Sequence, residues 1–372
     1  MTSVLRPLPL LIALLGLALS SAACGGKADR GGGRGGDGRE LALSDPVALH
    51  GPAGTLLARP DMASEDSRGR IVFVDAPDRN VKVYDASGAL AAVLGRAGQG
   101  PGEFTALWSA QAYRDSILAY DVSGGRLSVF APDGRFSGSR PLGRGGQLLP
   151  LSIRVVDDSL LLLVSGIPTR DNRGLLSLVR PDGSIRSRFL QLGTYLGKNP
   201  QVAGAVGLLA DGADGRVFAT VAGGDSVWAF DYDGRRLAAF PADPERPLVT
   251  ARSLIEANSG RIRRPNGGYV VDGNRMVTGL VAMDSGTVAL QIAPYDGRLG
   301  IDLEDGGTYV ITTLAPDGAR MLARQDLLGA LLGRDRRGRL LILRYTSPEA
   351  DAHELVRATL VSARNRPNTN NH

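Results

Sequence analysis

Cysteine is nearly absent from this chain: among its 372 residues there is one, Cys24. A lone thiol excludes an internal disulfide framework and any thiolate metal cage, so the folded part must hold itself together through its own core. Histidine is almost as scarce. The three residues, His50, His353 and His372, show no metal-ligand spacing, and neither a nucleophile elbow nor a histidine pair is present. Aromatic residues make up 5% and the formal charge is a modest +5, too small an excess on so long a chain for a nucleic-acid footprint. The longest apolar run, Leu8 to Leu19, falls short of the roughly 20 residues that a membrane-spanning helix needs.

That short run sits in a three-part layout. Met1 to Pro7 carries one positive charge, Arg6, and small residues follow the apolar stretch as Ser20-Ser21-Ala22-Ala23-Cys24-Gly25. This is the pattern of an export signal. Its ending resembles the lipobox of bacterial lipoproteins, in which the cysteine is acylated and becomes the mature N-terminus; Ser21 stands where that pattern usually has leucine. The alternatives are an ordinary cleaved signal with an incidental cysteine, and an uncleaved anchor. Residues 25–40 (GGKADRGGGRGGDGRE) contain no apolar side chain larger than alanine, which suits a solvated tether. The expected division is a signal peptide over 1–23, a tether over 24–38, a folded domain over 39–363 and a disordered tail over 364–372.

From about residue 60 the chain becomes short β-branched and leucine-rich runs cut by Gly, Asp and Pro. One stretch, 249–258, reads as helical. A unit recurs: Arg70 to Asp75, Asn80 to Asp85, a Ser87-Gly88 turn, then Ala89 to Gly95. Later copies turn at Asp133-Gly134, Asp182-Gly183, Asp233-Gly234 and Asp317-Gly318, and a last copy stops after Val361. Asp-Gly steps supply the positive φ of tight hairpins. With one more strand ahead of each unit (108–113, 153–156), every copy has four strands in about 45–50 residues, the size of a propeller blade. The last copy lacks a fourth strand, and Glu40 to His50 is a strand without a unit. Pairing the two would close the ring and remove an open edge. The expected fold is therefore all-β, a six-bladed β-propeller of four-stranded antiparallel blades closed by the N-terminal strand. Seven blades is the alternative, since 193–268 and the stretched fifth copy could hide another.

The segment Gly95-Arg96-Ala97-Gly98-Gln99-Gly100-Pro101-Gly102-Glu103-Phe104 resembles the G-x-x-G-x-G-P-G-E-F connector of NHL-like six-bladed propellers, a family that includes bacterial lipoproteins. The resemblance spans most of 39–363 but is sharp only at this connector. It implies a fold and a binding role more than a reaction.

With strands lettered a to d outward from the axis, a–b and c–d turns share one face, and b–c and d–a connections share the other. The long segments 166–174, 193–204, 241–268 and 294–307 all belong to the second face, where binding is expected. Arg170, Arg173, Lys198, Arg261, Arg263 and Arg264 make part of it basic, suited to carboxylate or phosphate groups; the alternative is that they solubilise long loops. Asp302, Glu304 and Asp305, followed by Gly306 and Gly307, could hold calcium or form a solvated turn. No cofactor beyond that calcium is expected. Trp108 and Trp228 read as core aromatics, and Asp157, Asp211 and Asp284 as turn residues. The expected function is a lipid-anchored platform in the cell envelope, on the periplasmic side of an outer membrane or at the cell surface. It would bind an envelope protein or an anionic small molecule or glycan, with no nucleic-acid partner. The alternative is a metal-dependent propeller hydrolase or lyase acting on sugars, lactones or similar small molecules.

Overall fold

A computed structural model describes residues 38–362, apart from 45, 53–56, 59, 143–149, 166–173, 181, 191–207, 222, 250–261, 264–269, 272–273, 284–285, 296–305 and 348–351. The signal peptide, Cys24, most of the tether, the tail and all but Val249 of the expected helical stretch lie outside the described residues. Among those residues there is no α-helix.

Each repeat of the sequence is an antiparallel four-stranded unit. The first comprises Pro60–Glu65, Ile71–Asp75, Asn80–Tyr84 and Leu90–Leu94. The second runs from Leu107–Tyr113 to Phe136–Pro141, and the third from Pro150–Asp157 to Ile185–Phe189. The fourth runs from Leu208–Ala213 to Arg236–Pro241, and the fifth from Asn274–Ala282 to Gly318–Leu327. The first unit also belongs to a nine-stranded sheet. There a short parallel step, Gly333 with Ala63 and Arg334 with Ser64, joins it to Ala330–Arg334, Leu340–Ser347 and Ala352–Ser362. The outer edge of Ala352–Ser362 pairs with the N-terminal strands Arg39–Leu43 and Val47–Leu49. Leu41 lies opposite Leu360, and Leu49 opposite His353. Between the fourth and fifth units the described residues include a two-stranded ribbon of Ile262–Arg263 and Val270–Val271.

The hairpins form for the reason the sequence suggests. Gly88, Gly134, Gly183 and Gly234 have φ between 82° and 89°, a left-handed conformation that glycine alone adopts without strain. An aspartate holds each turn from within: Asp85 Oδ1 accepts the amides of Ser87 and Ala89, and Asp231 Oδ1 those of Asp233 and Arg235.

Apolar packing lies between sheets rather than on one side of each. One cluster joins Val72, Val83 and Leu94 of the first unit to Phe104, Leu107 and Phe130 of the second. Others join second to third, third to fourth, fourth to fifth and fifth to last units in turn. A sixth joins Phe73 and Tyr84 of the first unit to Leu341, Leu343 and Leu355 of the last. Both faces of a strand are consequently covered. In Asn80–Tyr84 the alternation of valine with Lys82 and Tyr84 does not become an alternation of buried and exposed, because all four are buried. The ammonium of Lys82, 1% exposed, lies 2.7 Å from both Asp75 and Asp78.

The glycine-rich connector is a folded object. Phe104 N donates to Arg96 O (2.8 Å) and Gly98 N to Phe104 O (3.0 Å), closing a loop that Glu103 clamps through Gly100 N and the Arg96 guanidinium. At Gly95 (φ 73°) a Cβ would sit 2.2 Å from the Phe104 ring, so glycine is required there both by conformation and by space. The connector thereby drives Phe104, fully buried, between the first and second units. Behind it, Asp121 accepts the amides of Thr105 (3.0 Å) and Ala106 (3.1 Å), fixing where the next strand begins.

Burial pushes the phenols of Tyr84 and Tyr120 up to about 12, with Asp75 and Asp121 adding to the effect. Their hydroxyls have no hydrogen-bond partner among the described residues. A raised folded-state value means that the folded chain holds these protons more tightly than the unfolded chain. The associated stability is complete below the ordinary tyrosine value of about 10 and is lost as pH rises towards about 12. We expect urea midpoints to fall across that window, and the fall to shrink in Tyr84→Phe/Tyr120→Phe; an undiminished fall would assign the alkaline sensitivity elsewhere.

Candidate functional site

Two places carry unusual chemistry, one at each end of the inner strands. The a–b and c–d turns do share a face: Arg70 Nη2 of the first a–b turn donates to Pro132 O in the second unit's c–d turn, and Arg216 Nη1 of the fourth donates to Leu314 O at the fifth unit's c–d turn. The opposite face holds the d–a connections.

On the d–a side the notable residue is Trp108, which corrects the sequence reading. It is 48% exposed and not a core residue, whereas Trp228 is buried as expected. The cause is a shift of register. Leu107 pairs with Asp121 and Ser109 with Tyr120, so Trp108 is the extra residue of a β-bulge, a distortion that re-aims a side chain. Its neighbours Leu107 and Ser109 stay buried. The ring therefore stands out from the leading end of an inner strand, and its indole N–H has no partner among the described residues. Sequence alone cannot place this bulge, because it depends on the partner strand.

Other exposed large apolar side chains fall into two groups. Val249 and Leu328 lie in d–a connections, on the same face as Trp108, while Val93, Ile185 and Leu237 lie on outermost strands or their flanks. None of the six belongs to an a–b or c–d turn.

At the other end is a cavity of about 160 Å³, lined by the inner strands of every unit near their a–b turns. Around it the exposed edges of inner strands are satisfied by side chains of the neighbouring unit. Ser64 Oγ accepts Ala112 N at 3.0 Å, Gln111 Oε1 accepts Val155 N at 2.6 Å, and Asp211 Oδ2 accepts Ala282 N at 3.0 Å. Arg334 reaches from the last unit to Ala282 O and to Gly212 O, the latter at 3.1 Å. Asp211 is thus a buried strand residue that bridges two units, not the turn residue its sequence context suggests. Asp157 ends an inner strand and holds the turn that follows, accepting Ser159 N.

The sequence-derived basic and acidic sets are not brought into view. Arg170, Arg173, Lys198, Arg261, Arg264, Asp302, Glu304 and Asp305 lie outside the described residues, as does Asp284; Arg263 is described only as part of the short ribbon. Gly307 begins a strand and Gly306 has a φ of 61°. His353 is buried with its ring against Tyr345, 5.1 Å between centroids. Among the described residues no three His, Cys, Asp or Glu side chains converge as metal ligands would.

No protein-family model matches the chain, and no curated protein is significantly similar to it in sequence. Solved structures do match. A protein of Bacteroides fragilis NCTC 9343 whose name marks it as exported aligns over 88% of this chain and 98% of its own, with a TM-score of 0.54 at 14% identity. A member of the DUF4221 family from Bacteroides vulgatus ATCC 8482 aligns over 88% of this chain and 100% of its own, with a TM-score of 0.59 at 11% identity. The fold is β-propeller-like. At such identities the likeness is one of fold alone, and the units described above are its blades.

Proposed function

We propose that this chain is an extracytoplasmic binding protein, tethered to a membrane by lipid on Cys24. Six blades form a ring closed by the N-terminal strand, and the long-loop face engages an envelope protein or an acidic glycan. The observation that carries this reading is the one-sided placement of exposed apolar side chains. Trp108, Val249 and Leu328 stand on the d–a face, and none of the six stands at an a–b or c–d turn. Exposed large apolar groups on one face, with an unpartnered tryptophan among them, are what recognition surfaces present. The basic residues Arg170, Arg173, Lys198, Arg261, Arg263 and Arg264 belong by chain position to the same face and would add charge complementarity. An exported structural neighbour supports an extracytoplasmic location.

The test is affinity capture from detergent-solubilised envelope, using the lipidated chain. Replacing Trp108 and Leu328 together with alanine is expected to cost about 2 kcal/mol or more of binding, a loss of at least tenfold. Capture unchanged in that variant would overturn the assignment of the face. Cys24→Ser is expected to release the protein into the soluble fraction without altering capture.

A further inference from the structure

The cavity at the a–b end is separated from Trp108 by the length of the inner strands, and it has chemistry of its own. Its polar wall is unbalanced between donors and acceptors. Both oxygens of Asp211 are occupied, by Gly212 N at 2.9 Å and Ala282 N at 3.0 Å. Asp335 is also engaged, by Arg337 N, Arg339 N and the Arg339 guanidinium at 2.6 to 2.9 Å. One oxygen of Glu65 accepts Arg336 N at 2.9 Å.

The donors are less engaged. Gln111 uses only its carbonyl oxygen, which leaves its amide N–H₂ free. Ser64 acts only as an acceptor, so its hydroxyl proton remains available. Arg334 has bonds from two of its nitrogens to backbone carbonyls and keeps further N–H groups. Arg336 lines the cavity, is exposed, and its guanidinium has no partner among the described residues. Leu280 supplies an apolar part of the wall.

Size narrows the occupant. A volume of about 160 Å³ equals roughly five water molecules at about 30 Å³ each, and it lies below the ~300 Å³ at which sites for drug-sized ligands begin. Such a volume suits a small molecule better than a sugar chain or a peptide. A short organic acid does, its carboxylate meeting spare guanidinium, amide and hydroxyl donors and its carbon chain meeting Leu280.

We propose that the axial cavity is a second ligand site, selective for a small aliphatic carboxylate held by Arg336 and Arg334 with help from Gln111 and Ser64. It is independent of the partner face: one side of the molecule would grip the envelope while the other samples small acids.

The experiment is calorimetric titration of the full chain with acetate, lactate and succinate, each set against its neutral amide, and with inorganic phosphate. Saturable binding of at least one acid at millimolar concentration or tighter is expected, with its amide at least tenfold weaker. Arg336→Ala removes an exposed side chain and should not perturb folding. It is expected to weaken acid binding by roughly tenfold to a hundredfold, the range for a charge-assisted hydrogen bond. Trp108→Ala is expected to leave acid binding unchanged, and Arg336→Ala to leave envelope capture unchanged, so the two sites fail or stand separately. No saturable binding of any acid, equal binding of acid and amide, binding of phosphate alone, or full affinity in Arg336→Ala would each overturn the proposal.

Discussion

A chain beginning at residue 51 is expected to lose cooperative unfolding and to associate, where one beginning at residue 38 remains monomeric. The missing segment contains Arg39–Leu43 and Val47–Leu49, which cover the outer edge of Ala352–Ser362. Leu41 and Leu49 are both buried, and emptying a buried leucine site costs about 2–5 kcal/mol. Two such sites together with the hydrogen-bond ladder are comparable to the ~5–15 kcal/mol that separates a typical domain from its unfolded state. The uncovered strand would then present an open row of amides and carbonyls, the usual template for pairing with another copy. Chemical denaturation and sedimentation of the two chains test this, with a synthetic 38–50 peptide added back to the shorter one. Restoration by the peptide would show that the loss comes from the missing edge. A monomeric short chain with an unchanged midpoint would show that the fold does not depend on its first strands.

The next largest effect is expected at Lys82. Its ammonium is buried in the first blade against Asp75, fully buried, and against Asp78, whose side chain is 41% exposed. Lys82→Ala strands the Asp75 carboxylate, one oxygen of which has no hydrogen-bond partner among the described residues. Leaving a buried charge uncompensated costs about 3–5 kcal/mol. The double variant Lys82→Met/Asp75→Asn removes both buried charges, yet keeps an acceptor for Ala58 N, which now donates to Asp75 at 2.8 Å. It should recover most of the loss, since a well-packed neutral pair is often as stable as the ion pair it replaces. Urea midpoints of the three chains decide the matter. A loss below about 1 kcal/mol in Lys82→Ala would place the pair among ordinary surface bridges.

Much of the fold was legible because its signals are local. A glycine of positive φ marks each c–d hairpin, after aspartate in four of them and after Ser87 in the first, and the Gly95–Phe104 connector closes on itself by bonds within ten residues of chain. The fate of Glu40 to His50 could be read because a strand without a unit and a unit without a strand imply one another. What stayed hidden depends on partners remote in sequence. The Trp108 bulge is a mismatch with Tyr120 and Asp121, and the burial of Lys82 follows from sheets packed on both faces. Asp211 reads as a turn residue in its Ala-Asp-Gly setting, and only the neighbouring amide of Ala282 explains it. The cavity draws residues from six inner strands, so no window of sequence contains it.

The joints between inner strands have a consequence for the ancestry of the repeats. Ser64 serves the joint from first to second blade, Gln111 the next, Asp211 that from fourth to fifth, and Gln291 that from fifth to last through Leu331 N. The last joint pairs backbone with backbone at Gly333 and Ala63, where a Cβ on Gly333 would sit 2.0 Å from Ala63 O, and adds Glu65, which accepts Arg336 N. At these seams the blades carry connectors of different chemistry, each matched to its own neighbour. Blades that repeat in sequence are for this reason not interchangeable: swapping two of them would leave amides unanswered at these seams, so the order of the blades is information written in a few polar side chains.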